Sequence, residues 1–267
     1  MKASLNLTRL FAIVLFSVLC LSCSSPGLLQ HSTAVSASTA PQAANMAGAW
    51  RLVAASDAVS KLGEGITAVK IASDGYFTIA FYNQTDKKFL GTYGGTYLLS
   101  NGTYTETYEF NTWDSTQVGT SSSFQVRQQQ GRWQLSGSGN QQQTWERLDQ
   151  ANTQTPLAGA WRITGRAGQD GKVNAMQQGA RKTIKFLSGS RFQWVAYNTE
   201  TKQFSGTGGG TYTAANGKYT ETIDFFSRDP KRVGAVLSFD YEVKGNEWHH
   251  KGLSSTGSPI YEIWTKQ

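Results

Sequence analysis

The sequence contains two copies of one long pattern, and this repeat limits the possible folds more than any other feature. The tetrapeptide Gly-Ala-Trp-Arg at 48–51 recurs at 159–162. Among the 34 positions from Phe77 to Phe110, 18 carry the same residue 115 positions later. Such agreement indicates a duplication of one structural unit. Each copy spans about 100 residues, which is a typical size for a small domain.

Both copies have the residue pattern of short antiparallel strands. Apolar and polar side chains alternate over 104–110, 219–225 and 237–243, as expected when one strand face is buried. Asn-Gly pairs at 101–102 and 216–217 predict two-residue hairpin turns with positive φ. The glycine-rich run at 206–210 predicts a bend or bulge. The prediction is an all-β chain with two tandem small antiparallel barrels, although a sandwich fits the same spacing.

The first residues predict export. Lys2 and Arg9 precede a short apolar run that ends in Ser22-Cys23, which is typical of a signal peptide over 1–23. Cys23 is the candidate for lipid modification, as in bacterial lipoproteins, and ordinary cleavage to a secreted product is the alternative. Residues 24–46 are rich in small and polar residues, so they are predicted to form a flexible tether.

The remaining chain divides into three parts. The first copy is assigned to 47–148, a polar linker to 149–156 and the second copy to 157–267. Two separate cores are predicted, and whether they dock is left open. Residues 48–150 hold eight Lys or Arg against nine Asp or Glu, whereas residues 157–267 hold fifteen against nine. A basic second copy fits anionic lipid or acidic glycan, and also simply solvated Lys and Arg side chains.

Several motifs in order resemble one family. Each copy has Gly-x-Trp, then Gly-Gly-Thr-Tyr, Asn-Gly, Tyr-Thr-Glu-Thr and a tryptophan near its end. This combination resembles lipocalin-like (calycin) domains of uncharacterised exported lipoproteins from Bacteroidetes. The resemblance implies that Trp50 and Trp161 each close one end of a barrel. It also implies that Arg147 and Lys266 pack over these tryptophans, with Lys266 departing from the arginine of the family.

Glu106 and Glu221 are the candidate polar anchors for a ligand. Alternation places Glu221 on the same face as Tyr219 and Phe225, and Glu106 on the same face as Tyr104 and Phe110. A buried carboxylate needs a partner, which could be a ligand or a tyrosine, arginine or lysine of the barrel. The aromatic residues predicted to shape the cavities, or equally to fill them, are Tyr82, Tyr97, Tyr104, Phe192, Trp194, Tyr197, Tyr212 and Tyr219.

Composition argues against catalysis and metal binding. Both cysteines lie within the predicted signal peptide, so none would remain after cleavage. His249 and His250 are adjacent and would point to opposite strand faces, where they cannot share a metal ion. No nucleophile with an activating base recurs in both copies. The chain is therefore predicted not to be an enzyme and to need no cofactor.

Two functional hypotheses follow. The first is a cell-envelope lipoprotein, anchored in the outer membrane, that binds a small hydrophobic or amphipathic ligand inside a barrel. The second is a structural or interaction module with filled barrels, whose outer surface contacts envelope partners, glycans or anionic lipid. A nucleic-acid partner is disfavoured by the predicted export.

Overall fold

The computed structural model describes residues 45–56, 63–150, 155–168, 170–254 and 257–267. The predicted signal peptide, Cys23 and residues 24–44 of the predicted tether lie outside the described residues. The described residues all belong to one unit that runs from Pro41 to Gln267.

The first copy forms a closed antiparallel barrel, here called barrel 1. Each strand pairs with the next along the chain, and the eighth strand pairs back on the first. Its strands are β1 (Gly48–Ala55), β2 (Thr67–Ser73), β3 (Tyr76–Asn83), β4 (Lys88–Ser100), β5 (Thr103–Asn111), β6 (Ser121–Gln129), β7 (Arg132–Ser136) and β8 (Gln142–Arg147).

The second copy forms barrel 2 with the same order of strands. β17 pairs back on β9 to close it, and the short β10 is added at the edge of β9. The strands are β9 (Gly159–Ala167), β10 (Val173–Ala175), β11 (Arg181–Leu187), β12 (Arg191–Asn198), β13 (Gln203–Ala215), β14 (Lys218–Phe226), β15 (Val236–Lys244), β16 (Glu247–Leu253) and β17 (Pro259–Lys266). The all-β prediction of two tandem antiparallel barrels is confirmed.

The predicted hairpin turns are present in both barrels. Asn101 and Asn216 have φ values of 49° and 51°, and the glycine after each has a φ of 74°. Two consecutive residues with positive φ match the right-handed twist of the flanking strands, which is why Asn-Gly is favoured there. Two 3₁₀ helices, Ser115–Gln117 and Pro230–Arg232, lie at matching places after β5 and β14. Among the described residues, no helix has the length and apolar character needed to span a membrane.

A β-bulge in barrel 1 changes the predicted strand faces. Gly94 pairs with Phe110 but Gly95 pairs with Tyr108, so Glu109 is an extra residue in β5. One extra residue moves every later side chain to the opposite face. Phe110 therefore lies in a hydrophobic cluster that is formed by residues of both barrels. The prediction that Phe110 shares a face with Glu106 is wrong.

Barrel 2 carries the same bulge. Gly209 pairs with Phe225 and Gly210 with Ile223, which leaves Asp224 as the extra residue. Phe225 consequently leaves the interior face of β14 and joins the cluster between the barrels, contrary to the prediction. Gly209 and Gly210 of the glycine-rich run lie opposite this bulge, whose extra residue is in β14. A second register shift lies at the start of the run, where Ala196 pairs with Gly206 and Tyr197 with Phe204.

Each barrel has its own core, and a third hydrophobic cluster joins them. The outer faces of β2 and β11 contribute Val69 and Ile71, and Ile184 and Phe186, to this third cluster. The two cores predicted from the repeat are present, and the question of docking is answered by the shared cluster. β2 and β11 are thus buried on both faces, so their sequences alternate less clearly than those of the other strands.

Candidate functional site

A buried lysine pairs with the predicted glutamate inside each barrel. Lys70 Nζ on β2 lies 2.9 Å from Glu106 Oε1 on β5, and Lys185 Nζ on β11 lies 2.8 Å from Glu221 Oε1 on β14. All four side chains are at most 5% exposed. The two ion pairs are called the Lys–Glu pairs below. Each places a balanced pair of charges in a low-dielectric interior, where an unpaired charge would be very costly.

Aromatic rings surround each lysine ammonium group. Lys70 Nζ is 4.7 Å from the ring centroids of both Tyr104 and Trp145. Lys185 Nζ is 5.1 Å from the Trp248 ring and 5.2 Å from the Tyr219 ring. Ring faces attract a cation electrostatically, so the rings replace part of the lost hydration of the ammonium group. Burial nonetheless lowers the pKa of Lys70, and attraction to Glu106 opposes part of that shift.

Tyrosine hydroxyl groups complete the coordination of the carboxylates. Tyr219 donates a 2.7 Å hydrogen bond to Glu221 Oε1, and Tyr108 donates one of 3.4 Å to Glu106 Oε2. Burial, followed by the nearby carboxylate, raises the pKa of Tyr219 well above its ordinary value. The tyrosine therefore stays protonated and acts as a donor near pH 7. Each glutamate thus has hydrogen-bond partners within the protein. A partner within the barrel was one of the two alternatives that the sequence left open.

The sequence did not identify Lys70 and Lys185 as members of this site. Each lies between apolar residues of a strand that is buried on both faces, and both occupy the same position of the repeat. The signal that could have identified them is a lysine at the same position in two otherwise apolar segments. It was obscured because the expected alternation is absent in β2 and β11.

Barrel 2 has ionisable groups at three positions where barrel 1 has none, and two of them, His250 and Glu262, are buried. Register places His250 at the position of Leu135, Glu262 at that of Gln143 and Arg166 at that of Ala55. Arg166 donates to Glu262 Oε1, and Trp264 Nε1 donates to Glu262 Oε2 at 3.2 Å. His250 Nδ1 lies 3.6 Å from Glu262 Oε2. The two barrels therefore have different interior chemistry.

Burial and the neighbouring charges shift the pKa values of this group. Burial lowers the pKa of His250, so that the neutral ring is favoured. Burial alone would raise the pKa of Glu262, but His250, Arg166 and Lys185 together outweigh it and lower the pKa to about 2. Glu262 is therefore ionised at neutral pH.

Several fully buried polar atoms in the barrel interiors have no hydrogen-bond partner among the described residues. They are Trp133 Nε1 and Tyr104 Oη in barrel 1, and Trp248 Nε1, His250 Nδ1 and His250 Nε2 in barrel 2. Trp133 and Trp248 occupy matching positions of β7 and β16. Buried donors without partners are rare in proteins, so their clustering in two barrel interiors requires an explanation.

The structure brings most of the predicted ligand-binding residues into the barrel interiors. Tyr82 and Tyr197 are exceptions, because they point outward from β3 and β12 into the cluster between the barrels. The predicted residues that belong to the interior clusters, or pack against them, are Tyr97, Tyr104, Phe192, Trp194, Tyr212 and Tyr219.

The tryptophans of the Gly-x-Trp motifs occupy the same place in the two barrels, as the third residue of β1 and of β9. Trp50 Nε1 donates to the Met46 carbonyl at 2.9 Å, and Trp161 Nε1 donates to the Leu157 carbonyl at 2.8 Å. The guanidinium of Arg147 lies 4.9 Å from the Trp50 ring. Lys266 Nζ lies 5.8 Å from the Trp161 ring, a longer contact that fits a point charge on a flexible stem.

Metal ligation has little support in the described part of the chain. No group of three or more His, Cys, Asp or Glu side chains gathers there in a way that could hold a metal ion. His249 and His250 do point away from each other, since His249 Nδ1 contacts Tyr261 Oη at 2.8 Å while His250 is in the barrel interior.

The fold and the interior pairs define a class of protein: two closed eight-stranded antiparallel barrels in tandem, an arrangement that fits a lipocalin-like fold. No protein-family model matches the sequence, and no curated protein matches it either.

Proposed function

We propose that this protein is a non-enzymatic binding protein whose barrels hold a small amphipathic molecule. The carrying observation is the set of unpartnered polar atoms in each barrel interior, which includes the matching Trp133 Nε1 and Trp248 Nε1. A ligand with a hydrogen-bond acceptor would satisfy these N–H groups, while its apolar part would contact the surrounding rings. Fold alone does not determine function, so the proposal depends on these atoms.

The polar end of such a ligand would lie beside the Lys–Glu pair. Lys70 and Glu106 neutralise one another, so the pair favours a neutral polar group over a charged one. In barrel 2 the additional His250 and Glu262 offer both a donor and an acceptor. We therefore propose that barrel 2 takes the more polar ligand of the two barrels.

A filled-barrel interaction module is the second candidate, and a specific observation favours it. Glu106 and Glu221 already have lysine partners, so neither needs a ligand. On this alternative the basic surface of barrel 2 would contact anionic lipid or glycan, and that association would weaken as salt is added.

The cellular setting is also a proposal. The basic residues and apolar run before Cys23 support export and lipid anchoring at the outer membrane, and cleavage to a secreted form is the alternative. The motif order supports membership in the calycin group and kinship with the Bacteroidetes lipoproteins. Replacing Cys23 with Ala should move the protein from the membrane fraction to the soluble fraction of its host.

Native mass spectrometry of the protein from its own host tests the binding proposal. We expect a mass excess that disappears on denaturation. Trp133→Phe and Trp248→Phe remove unpartnered N–H groups and should reduce this excess. Trp145→Phe and Trp264→Phe are matched controls, since their N–H groups already bond to Gln143 and Glu262. A bare polypeptide mass in every sample would favour the filled-barrel module.

A further inference from the structure

The two barrels pack around an approximate two-fold axis. Tyr82 of barrel 1 stacks on Phe225 of barrel 2 with ring centroids 4.8 Å apart. The matching pair, Phe110 and Tyr197, also has a centroid distance of 4.8 Å. Such reciprocal contacts are typical of a two-fold interface. Each position on one side of the axis therefore has an equivalent position on the other, and the two sides can be compared residue by residue.

The boundary between the two barrels is called the seam below. On one side of the two-fold axis, a lysine of barrel 2 contacts barrel 1 across this seam. Lys182 Nζ on β11 lies 2.7 Å from Glu109 Oε1 of barrel 1. Tyr197, which pairs with Lys182 in the register of β11 and β12, donates its hydroxyl proton to the same carboxylate. The polar groups on this side of the seam thus have partners within the protein.

On the other side the lysine is replaced by a threonine. Thr67 pairs with Tyr82 in the register of β2 and β3, as Lys182 pairs with Tyr197. A groove of about 340 Å³ lies here, and Thr67, Tyr82 and Arg191 are among its lining residues. The groove, called the seam groove below, is close in size to the smaller ligand pockets of proteins.

The hydroxyl of Tyr82 lacks the partner that Tyr197 has. Tyr82 is 2% exposed, and its hydroxyl forms no hydrogen bond with the described residues. Asp224, the counterpart of Glu109, is held instead by Arg191 Nη1 at 2.7 Å and by Gln84 Nε2 at 3.0 Å. The Tyr82 hydroxyl therefore borders the seam groove as a donor that has no acceptor in the described part of the protein.

Charge indicates what kind of molecule would supply that acceptor. The groove is lined by two guanidinium groups, Arg51 and Arg191, and one carboxylate, Asp224. Asp224 is already paired with Arg191, whereas Arg51 is 52% exposed and contacts Glu146 at 2.8 Å. The apolar surface of the groove comes from Val69, Leu148 and the Tyr82 ring.

We propose that the seam groove binds a small carboxylate with an apolar body. The carboxylate would accept from the Tyr82 hydroxyl and from a guanidinium group, since charge-assisted hydrogen bonds of this kind are strong. The apolar body would pack against Val69 and Leu148. This site is separate from the barrel interiors, so it does not depend on the binding function proposed above.

Titration of the purified protein with benzoate, followed by protein-observed NMR, tests the proposal. We expect saturable binding that Tyr82→Phe weakens at least about fivefold, as expected for loss of a hydrogen bond to a charged group. Thr67→Phe fills the groove with an uncharged side chain and should abolish saturable binding. Tyr197→Phe is the matched control, and it should lower the thermal midpoint without changing the benzoate affinity.

Folding of each variant is checked by circular dichroism, and Tyr82→Phe remains informative if Thr67→Phe does not fold. Absence of saturable benzoate binding to the unmodified protein would overturn the proposal. Equal affinity in folded Tyr82→Phe and the unmodified protein would also overturn it. Trp133→Phe and Trp248→Phe should leave benzoate affinity unchanged, which separates this site from the barrel interiors.

Discussion

At the scale of single residues, the Lys–Glu pairs are the strongest constraint on each barrel interior. Breaking a buried ion pair leaves one charge without a partner, whereas replacing both residues with apolar ones removes the cost of burying the charges. Lys185 and Glu221 are each 5% exposed, so solvent cannot substitute for a lost partner.

Glu221→Gln is therefore expected to destabilise the protein by about 3–5 kcal/mol, because Lys185 is left charged and buried. The double replacement Lys185→Met with Glu221→Leu should recover most of that loss. Chemical denaturation measures both changes in unfolding free energy. Asp240→Asn is the control, since it breaks the Lys218–Asp240 pair, whose side chains are more than 60% exposed. An equal loss in the control would contradict a special role for burial.

His250 predicts an acid-sensitive barrel 2. Burial lowers its pKa below the unfolded value of 6.5, so the unfolded chain binds a proton more readily than the folded one. Stability should accordingly fall as pH decreases from about 7 to 5, where an unfolded histidine gains its proton. Glu262, Glu221, Lys185 and Tyr219 are the ionisable groups around the ring.

His250→Leu copies the residue of barrel 1 and should flatten this part of the pH profile. Thermal denaturation at several pH values measures the effect. Glu262, with a pKa of about 2, adds a separate loss of stability that begins only below about pH 4.5. Identical slopes between pH 7 and 5 for the variant and the unmodified protein would rule out His250 as the cause.

At the scale of strands, the paired glycines at the bulges determine which aromatic side chains face the other barrel. A Cβ atom at Gly95 would lie 2.1 Å from the Thr107 carbonyl oxygen, and one at Gly210 would lie 2.0 Å from the Thr222 carbonyl oxygen. Both contacts are with backbone atoms, which cannot rotate away. Only glycine fits at these places without moving β5 or β14.

Gly95→Ala should therefore destabilise the protein by more than about 1 kcal/mol, because the strand must shift to relieve the overlap. Gly179→Ala is the matched control, since a Cβ atom there has no heavy atom within 4 Å. Urea denaturation of the two variants gives the comparison. A similar midpoint for both would show that the bulge tolerates a methyl group.

The bulges also show what could and could not be predicted from the sequence. Alternation and Asn-Gly pairs were sufficient for the strands and hairpins, because each depends on neighbouring residues. The faces of Phe110 and Phe225 were mispredicted because strict alternation does not include an extra residue. Lys70 and Lys185 were missed because β2 and β11 are apolar on both faces, and their second face is buried only by the other barrel.

At the scale of the whole molecule, the repeat forms an internal dimer. The cluster between the barrels contains buried residues from both copies, and buried polar side chains also bond across the interface. Gln193 lies near the two-fold axis and bonds to Thr78 and Thr92 of barrel 1, and to Thr207 of its own barrel. Because the interface buries apolar residues of both copies, the stability of each barrel should depend on the other.

We expect a single calorimetric unfolding transition for the unmodified protein and two transitions for Phe225→Asp. Phe225 is 3% exposed and stacks on Tyr82, so a charge there would be buried against the other barrel and would separate the two. Phe239→Ala is the control, because it removes a ring from the interior of barrel 2 and leaves the interface intact. That variant should unfold at a lower temperature in one transition. Two transitions in the unmodified protein, or one in Phe225→Asp, would mean that the shared cluster does not couple the barrels, and each copy would then be an independent domain.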